Sequence, residues 1–180
     1  MDYEIKAVQE IYQGRVFRVQ VMQVKMADGR EVRFDLVKHP GAVAIIPVDA
    51  EGRILLLNQF RIGVGQTLLE IPAGTLEAGE DPIVCADREL REETGMAAHS
   101  LIKLGEFFLA PGYSSERLHI FLARDLYPSP LEADADEFLQ LQPIPIEQAY
   151  RMAKAGEFHD AKTLAGLMLA MPYLLPVNPV

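Results

Sequence analysis

Residues 74–96 read GTLEAGEDPIVCADRELREETGM, from Gly74 to Met96. The segment holds seven acids, Glu77, Glu80, Asp81, Asp87, Glu89, Glu92 and Glu93, against two arginines, Arg88 and Arg91. A helix is expected from about Asp81 to Thr94, because Pro82 suits a first turn and Gly95 the left-handed position just past the end. At about 100° per residue, Ile83, Ala86 and Leu90 share one face, which is the core-facing stripe. Glu89, Glu92 and Glu93 fall within an arc of about 100° on another face. Carboxylates that close raise one another's pKa values unless a cation neutralises them. A donor set made only of oxygens suits Mg2+ or Mn2+ rather than Zn2+. The competing reading is a solvated acidic face, with Arg88 and Arg91 pairing to neighbours along the helix.

Around this helix the chain reads as many strands, with helices towards the end. Residues 16–26, VFRVQVMQVKM, are β-branched and alternating, with a slip near Val21 and Met22 that predicts a bulge. Asp28-Gly29 suits a hairpin turn, and residues 31–38 then alternate through Val32, Phe34 and Leu36. Residues 42–48 (AVAIIPV) and 53–61 (RILLLNQFR) are nearly all apolar, as strands covered on both faces should be. TLLEIPAG, residues 67–74, is a shorter strand ending at Pro72, and LIKLGEFFLA (101–110) and RLHIFLARDL (117–126) are two more. The acidic, proline-containing YPSPLEADADE (127–137) reads as a loop. Two helices are expected at Ile146–Ala155 and Ala161–Met171, with Pro172 ending the second.

Bulk properties set limits. A chain of 180 residues with 49% hydrophobic residues suits one domain with a sizeable core. A net charge of −9 argues against binding nucleic acid through its phosphates, and it obliges any anionic substrate to be bridged by something cationic. The single cysteine, Cys85, leaves no intrachain disulfide framework and fits a reducing compartment. The first residues show no apolar signal region, and no apolar run approaches the ~18 residues of a membrane span. A soluble cytoplasmic protein, acting without a membrane, is expected. His39, His99, His119 and His159 are scattered without ligand spacing, and a structural or surface role is expected for each.

The opening segment fits G-x5-E-x7-R-E-U-x-E-E-x-G-U, where U is a bulky apolar residue, at Gly74, Glu80, Arg88, Glu89, Leu90, Glu92, Glu93, Gly95 and Met96. Nine such matches by chance are on the order of one in ten million for a chain this long. The segment resembles the Nudix box, the signature of the Nudix hydrolases. The resemblance implies a mixed α/β (α+β) Nudix fold, in which a mixed β-sheet lies between helices. It implies that Glu89 and Glu93 are the principal ligands of a divalent metal, Mg2+ with Mn2+ as a substitute. Glu92 would bridge or support them, and the Ala73 carbonyl would be a further ligand. Arg88 would orient the carboxylates through an ion pair, and Gly74 and Gly95 would permit the tight loop turns.

Outside the box, FFLAPGYSSERLHIFLARDL (107–126) is similar to the corresponding segment of ADP-ribose pyrophosphatases and related nucleoside-diphosphate-sugar hydrolases. In that subfamily a proline follows the box by about fifteen residues, as Pro111 follows Met96 here. By the same resemblance Glu116 contacts the sugar or supports the metal site. Arg61 and Glu70 match positions that face the substrate, Arg61 as a fork of phosphate donors. The subfamily's extra N-terminal antiparallel sheet resembles residues 1–40, which are expected to form a dimerisation unit beside a Nudix domain at 41–180. Exchange of that sheet between two subunits would complete each active site in a homodimer, with Phe17 or Tyr12 stacking on the adenine. The family's general base, or an additional metal ligand, commonly sits in a D-E-x-E loop. Here Asp134-Ala135-Asp136-Glu137-Phe138 stands there, so Glu137, Asp136, Asp134 or the box residue Glu92 remain candidates. The implied activity is Mg2+-dependent hydrolysis of ADP-ribose, or a similar nucleoside diphosphate sugar, to AMP and ribose 5-phosphate. The alternatives are another sugar nucleotide such as GDP-mannose, or a non-catalytic ADP-ribose sensor, which Ala135 keeps open.

Overall fold

The computed structural model describes residues 2–132 and 139–176. Strands β1 (Tyr3–Gln13), β2 (Arg18–Met26) and β3 (Glu31–Lys38) form a separate antiparallel sheet in that order. The β2–β3 turn is the expected one: Gly29 has φ 85°, and the Asp28 carboxylate accepts from the Arg30 amide at 3.1 Å. The bulge expected in β2 near Val21 and Met22 lies instead in β1. The β2–β3 register is unbroken from Arg18↔Lys38 to Lys25↔Glu31, whereas β1–β2 shifts between Ile5 and Ala7 and again between Glu10 and Tyr12. Each extra residue reverses the face of every side chain after it.

The sheet that organises the core has the order β7-β4-β9-β8, built from β4 (Ala42–Pro47), β7 (Ala73–Thr75), β8 (Met96–Phe108) and β9 (Arg117–Pro128). β4 and β9 are parallel, and the other pairs are antiparallel. All six residues of β4 are buried, and their alternation divides two cores. Val43 and Ile45 pack with Cys85, Ala86 and Leu90 of α1 (Pro82–Thr94). Ala42, Ala44 and Ile46 face the opposite way, onto a cluster that includes Ile54, Leu56, Tyr150 and Leu167. That second side carries the antiparallel sheet β10-β5-β6, from β5 (Arg53–Arg61), β6 (Gln66–Glu70) and β10 (Leu139–Pro145), together with α2 (Ile146–Ala155) and α3 (Ala161–Leu174). Burial of both faces explains the near-continuous apolar run of β4.

α1 has the boundaries expected of it. Asp81 caps it by accepting from the Ile83 amide at 3.1 Å, and Gly95, at φ 72°, donates to the Arg91 carbonyl. α3 runs past Pro172 to Leu174, beyond the expected end at Met171. A proline removes the bond its own amide would make one turn back, and so near a helix end that loss leaves only a short stretch to disturb. α3 closes on β4 through Gly166, where a Cβ would lie 2.9 Å from Ile71 Cδ1 and 3.0 Å from Ile46 Cδ1. Gly166→Val is therefore expected to lower stability by about 1–3 kcal/mol, read as a lower urea midpoint with an unchanged slope. Among the described residues no helix is long and apolar enough to cross a membrane.

Candidate active site

The site forms where β7 runs beside α1. β7 pairs with β4 through Val43↔Gly74 and Ala44↔Ala73, which fixes its backbone against the core. Glu89 and Glu93, one turn apart on α1, are 8% and 7% exposed, so both carboxylates are held out of bulk water. Glu93 Oε2 accepts from the Ala73 amide at 2.8 Å. The Glu89 carboxylate lies against the Gly74 Cα so closely that a Cβ there would sit 1.9 Å from Glu89 Cδ. Glycine is required at position 74 by this approach.

Arg88 is the cation at the centre of the acids. Its Nε and Nη2 each donate to Glu80 at 3.1 Å, and Nη1 donates to Glu89 Oε1 at 2.7 Å and Glu92 Oε2 at 3.0 Å. Nη2 also reaches the Thr75 carbonyl at 3.3 Å, tying the helix to β7. The Arg88 hydrogen bonds, against the opposing effect of burial, hold the Glu80 carboxyl down at about 2, with help from the Glu77 amide. Its folded pKa lies below the unfolded value, so the Glu80 contribution to stability is present above about pH 4.5 and is lost as pH falls towards 2. Glu80→Gln is expected to cost about 1–3 kcal/mol at pH 7, and the gap to the unsubstituted protein should narrow steadily below pH 4.5. Urea unfolding from pH 7 to pH 3 reads this directly, and a gap independent of pH would contradict it. Arg91 keeps the more ordinary role, pairing with Asp87 at 3.5 Å and donating to the Ser129 carbonyl. Burial pushes the Cys85 thiol well above its usual range, which leaves it without nucleophilic character.

A cavity of about 300 Å3 opens beside β7, lined among others by Arg61, Ala73, Gly74, Glu116, Asp160 and Lys162. It gathers Arg61, Ala73 and Glu116 of the expected site residues. Glu70 does not line it: the side chain is 2% exposed and sits behind, accepting from Arg61 Nε and Nη2 at 3.0 and 2.6 Å and from Lys162 Nζ. Glu70, expected to face the substrate, stands in the structure as the anchor of two cations. The loop carrying Glu116 is tied to the end of β3, since Val37 donates to the Tyr113 carbonyl and Ser115 donates to the Val37 carbonyl. Glu137, with Asp134, Ala135 and Asp136, lies outside the described residues. Lys162 and Asp160 escaped the sequence reading. The Asp-Ala-Lys-Thr order does signal a capped helix start, and Asp160 accepts from the Thr163 amide at 3.0 Å. Nothing in the sequence reveals that Lys162 meets Glu70 across 92 positions.

A second cavity, of about 410 Å3, lies between the N-terminal sheet and the start of the box, lined among others by Phe17, Lys38, His39 and Thr75. Tyr12 and Phe17 contact each other, with ring centroids 6.3 Å apart and planes tilted by 49°. Among the described residues, no group of three or more His, Cys, Asp or Glu side chains is placed to hold a metal ion as it stands. The chemistry nevertheless fits a hard cation. Two buried carboxylates and a third at 22% side-chain exposure offer oxygen alone, and Arg88 now occupies part of their lone-pair capacity.

Comparison with known proteins gives a consistent result. The NUDIX domain model matches residues 38–167. The chain is 41% identical to an ADP-ribose pyrophosphatase of Bacillus subtilis, over 87% of this chain and 86% of that protein. It is 37% identical to a methanol dehydrogenase activator of Bacillus methanolicus, over 92% and 89%. A crystal structure of an ADP compounds hydrolase superposes with a TM-score of 0.85 at 26% identity, covering 97% of this chain and 95% of that one. The intact acidic box, the fold and these matches agree: the chain belongs to the NUDIX domain family, and it is a Nudix pyrophosphohydrolase.

Proposed function

We propose that the protein hydrolyses ADP-ribose, or a closely similar nucleoside diphosphate sugar, to AMP and ribose 5-phosphate in a Mg2+-dependent reaction. The observation that carries this reading is the box itself, with Glu89 and Glu93 buried against β7 and opening beside a cavity that holds Arg61 and Glu116. Resemblance to an ADP-ribose pyrophosphatase over most of the chain supports the choice of substrate.

Glu89, Glu92, Glu93 and the Ala73 carbonyl would hold the divalent ion, which would supply charge neutralisation at the diphosphate and activation of water. Arg61 presents the guanidinium edge not used on Glu70 to a phosphoryl oxygen. Arg88 keeps Glu89 and Glu92 at fixed positions, so that their charge is in place before substrate arrives. In the overall reaction a water oxygen bonds to one phosphorus and the bridging P–O bond breaks. The proton released by the water passes to a carboxylate base, for which Glu137, Asp136, Asp134 and Glu92 are the candidates.

The N-terminal unit, residues 1–40, serves in this reading as the dimerisation element of a homodimer, with residues 41–180 as the catalytic unit. The exposed Tyr3, Ile5, Val8, Ile11 and Tyr12 of β1 support that use. The single buried thiol suits a reducing compartment such as the cytoplasm.

Turnover of ADP-ribose, ADP-glucose, GDP-mannose and nucleoside triphosphates with Mg2+ tests the reading. The highest kcat/KM is expected for ADP-ribose. A preference for GDP-mannose would keep the reaction and replace the substrate, and a preference for triphosphates would overturn the proposal.

A further inference from the structure

We propose that Lys162 is a substrate-binding residue that holds a phosphoryl oxygen of the diphosphate, and that Glu70 is the positioning residue that sets Lys162 and Arg61 side by side for this purpose. The inference rests on the diphosphate reading above and adds to it the residue that reads the second phosphate.

The side chain of Lys162 is 12% exposed, and its ammonium pairs with Glu70 and with Asp160, the latter at 3.0 Å. Three features argue against a merely structural cation. Glu70 already has a neutralising partner, because Arg61 grips both of its oxygens. Lys162 also sits in the first turn of α3, where the positive end of the helix dipole disfavours a cation. Finally, a charged amine so nearly enclosed loses hydration that its contacts must replace. The ammonium has three donors and uses two on Glu70 and Asp160, leaving one. Arg61 likewise spends Nε and one Nη2 donor on Glu70 and keeps its Nη1 edge.

The placement of charge around the cavity follows the same logic. Arg61 and Lys162 both line it, whereas Glu70 lies behind them. Asp160, which also lines it, commits Oδ2 to the Thr163 amide and hydroxyl as the cap of α3. The two cations therefore line the space with donors to spare, while Glu70 is shared between them and Asp160 Oδ2 is shared between Lys162 and the α3 cap. One carboxylate gripping two cations fixes their spacing, and two adjacent cationic donors suit two linked phosphoryl groups. The Ala73 and Gly74 side of the cavity, which backs onto Glu93 and Glu89, is left to the catalytic ion.

Calorimetric titration with ADP-ribose in EDTA, so that no turnover occurs, tests this, with inorganic pyrophosphate and adenosine as the partial ligands. Lys162→Met is expected to weaken ADP-ribose and pyrophosphate by about 10-fold to 100-fold, to leave adenosine unchanged, and to recover most of the loss as Lys162→Arg. Equal affinity of Lys162→Met and the unsubstituted protein for both phosphate ligands would overturn the proposal. So would a parallel loss for adenosine, which a structural role predicts. Amine labelling of the unsubstituted protein gives a readout that does not depend on a variant folding. ADP-ribose should slow modification of Lys162 and not of the exposed Lys103, and equal rates at Lys162 with and without ligand would contradict the assignment. Pyrophosphate binding through Lys162 without any binding of ADP-ribose would remove the substrate reading and leave Lys162 standing. ADP-ribose binding that is indifferent to Lys162 would do the reverse.

Discussion

Glu93→Gln is expected to lower kcat by at least about 1,000-fold while leaving the fold intact. Glu93 is 7% exposed and accepts from the Ala73 amide at 2.8 Å. A glutamine has nearly the same shape, and its side-chain carbonyl can accept from the same amide, so the contact between α1 and β7 survives. What is lost is one negative charge at the place where the divalent ion would sit. Steady-state kinetics beside a thermal melt separate the two effects. A melt close to that of the unsubstituted protein with activity gone supports the catalytic assignment. Lost stability with retained activity would make Glu93 a structural acceptor for β7.

Gly74→Ala is expected to act at the same place by geometry rather than charge. The added methyl would lie 1.9 Å from Glu89 Cδ and Oε1, far inside contact distance. The β7 backbone has little room to retreat, because Gly74 pairs with Val43 of the fully buried β4. Glu89 must therefore move, and its 2.7 Å bond from Arg88 moves with it. The expected result is a kcat lower by about 100-fold to 1,000-fold and a stability lower by about 1–3 kcal/mol. Unfolding curves and kinetics on the same preparation check both parts. Kinetics like those of the unsubstituted protein would mean that the position of Glu89 is unimportant to the reaction.

The parts of the molecule written in local signals were open to reading from the sequence. Pro82 and Gly95 marked the ends of α1, and Asp28-Gly29 marked the β2–β3 turn. The continuous apolar run of β4 announced a strand covered on both sides. β1 carried no comparable signal. All eleven of its residues are exposed, and two register shifts break the alternation that would have marked a face. β10 was hidden for a related reason: it is an edge strand holding Pro143 and Pro145, residues that argue against a strand unless the edge location is known. In the site, the box residues were legible because one helix and one adjoining loop carry them all. Arg61 and Glu116 needed the resemblance to a family, since they lie on distant segments. The cluster of Arg61, Glu70, Asp160 and Lys162 is a product of tertiary folding, and no local signal foretold that Glu70 would anchor two cations in it.

In the proposed reaction the box directs water onto the diphosphate of a nucleoside diphosphate sugar. Its most direct test is hydrolysis of ADP-ribose with Mg2+ in 18O-enriched water, followed by mass spectrometry of the products. AMP and ribose 5-phosphate are expected in equal amounts, with one solvent oxygen in the phosphate of one product, and no reaction by Glu93→Gln. Solvent oxygen on a ribose carbon, release of ADP with free ribose, or tight binding of ADP-ribose with no turnover would contradict it.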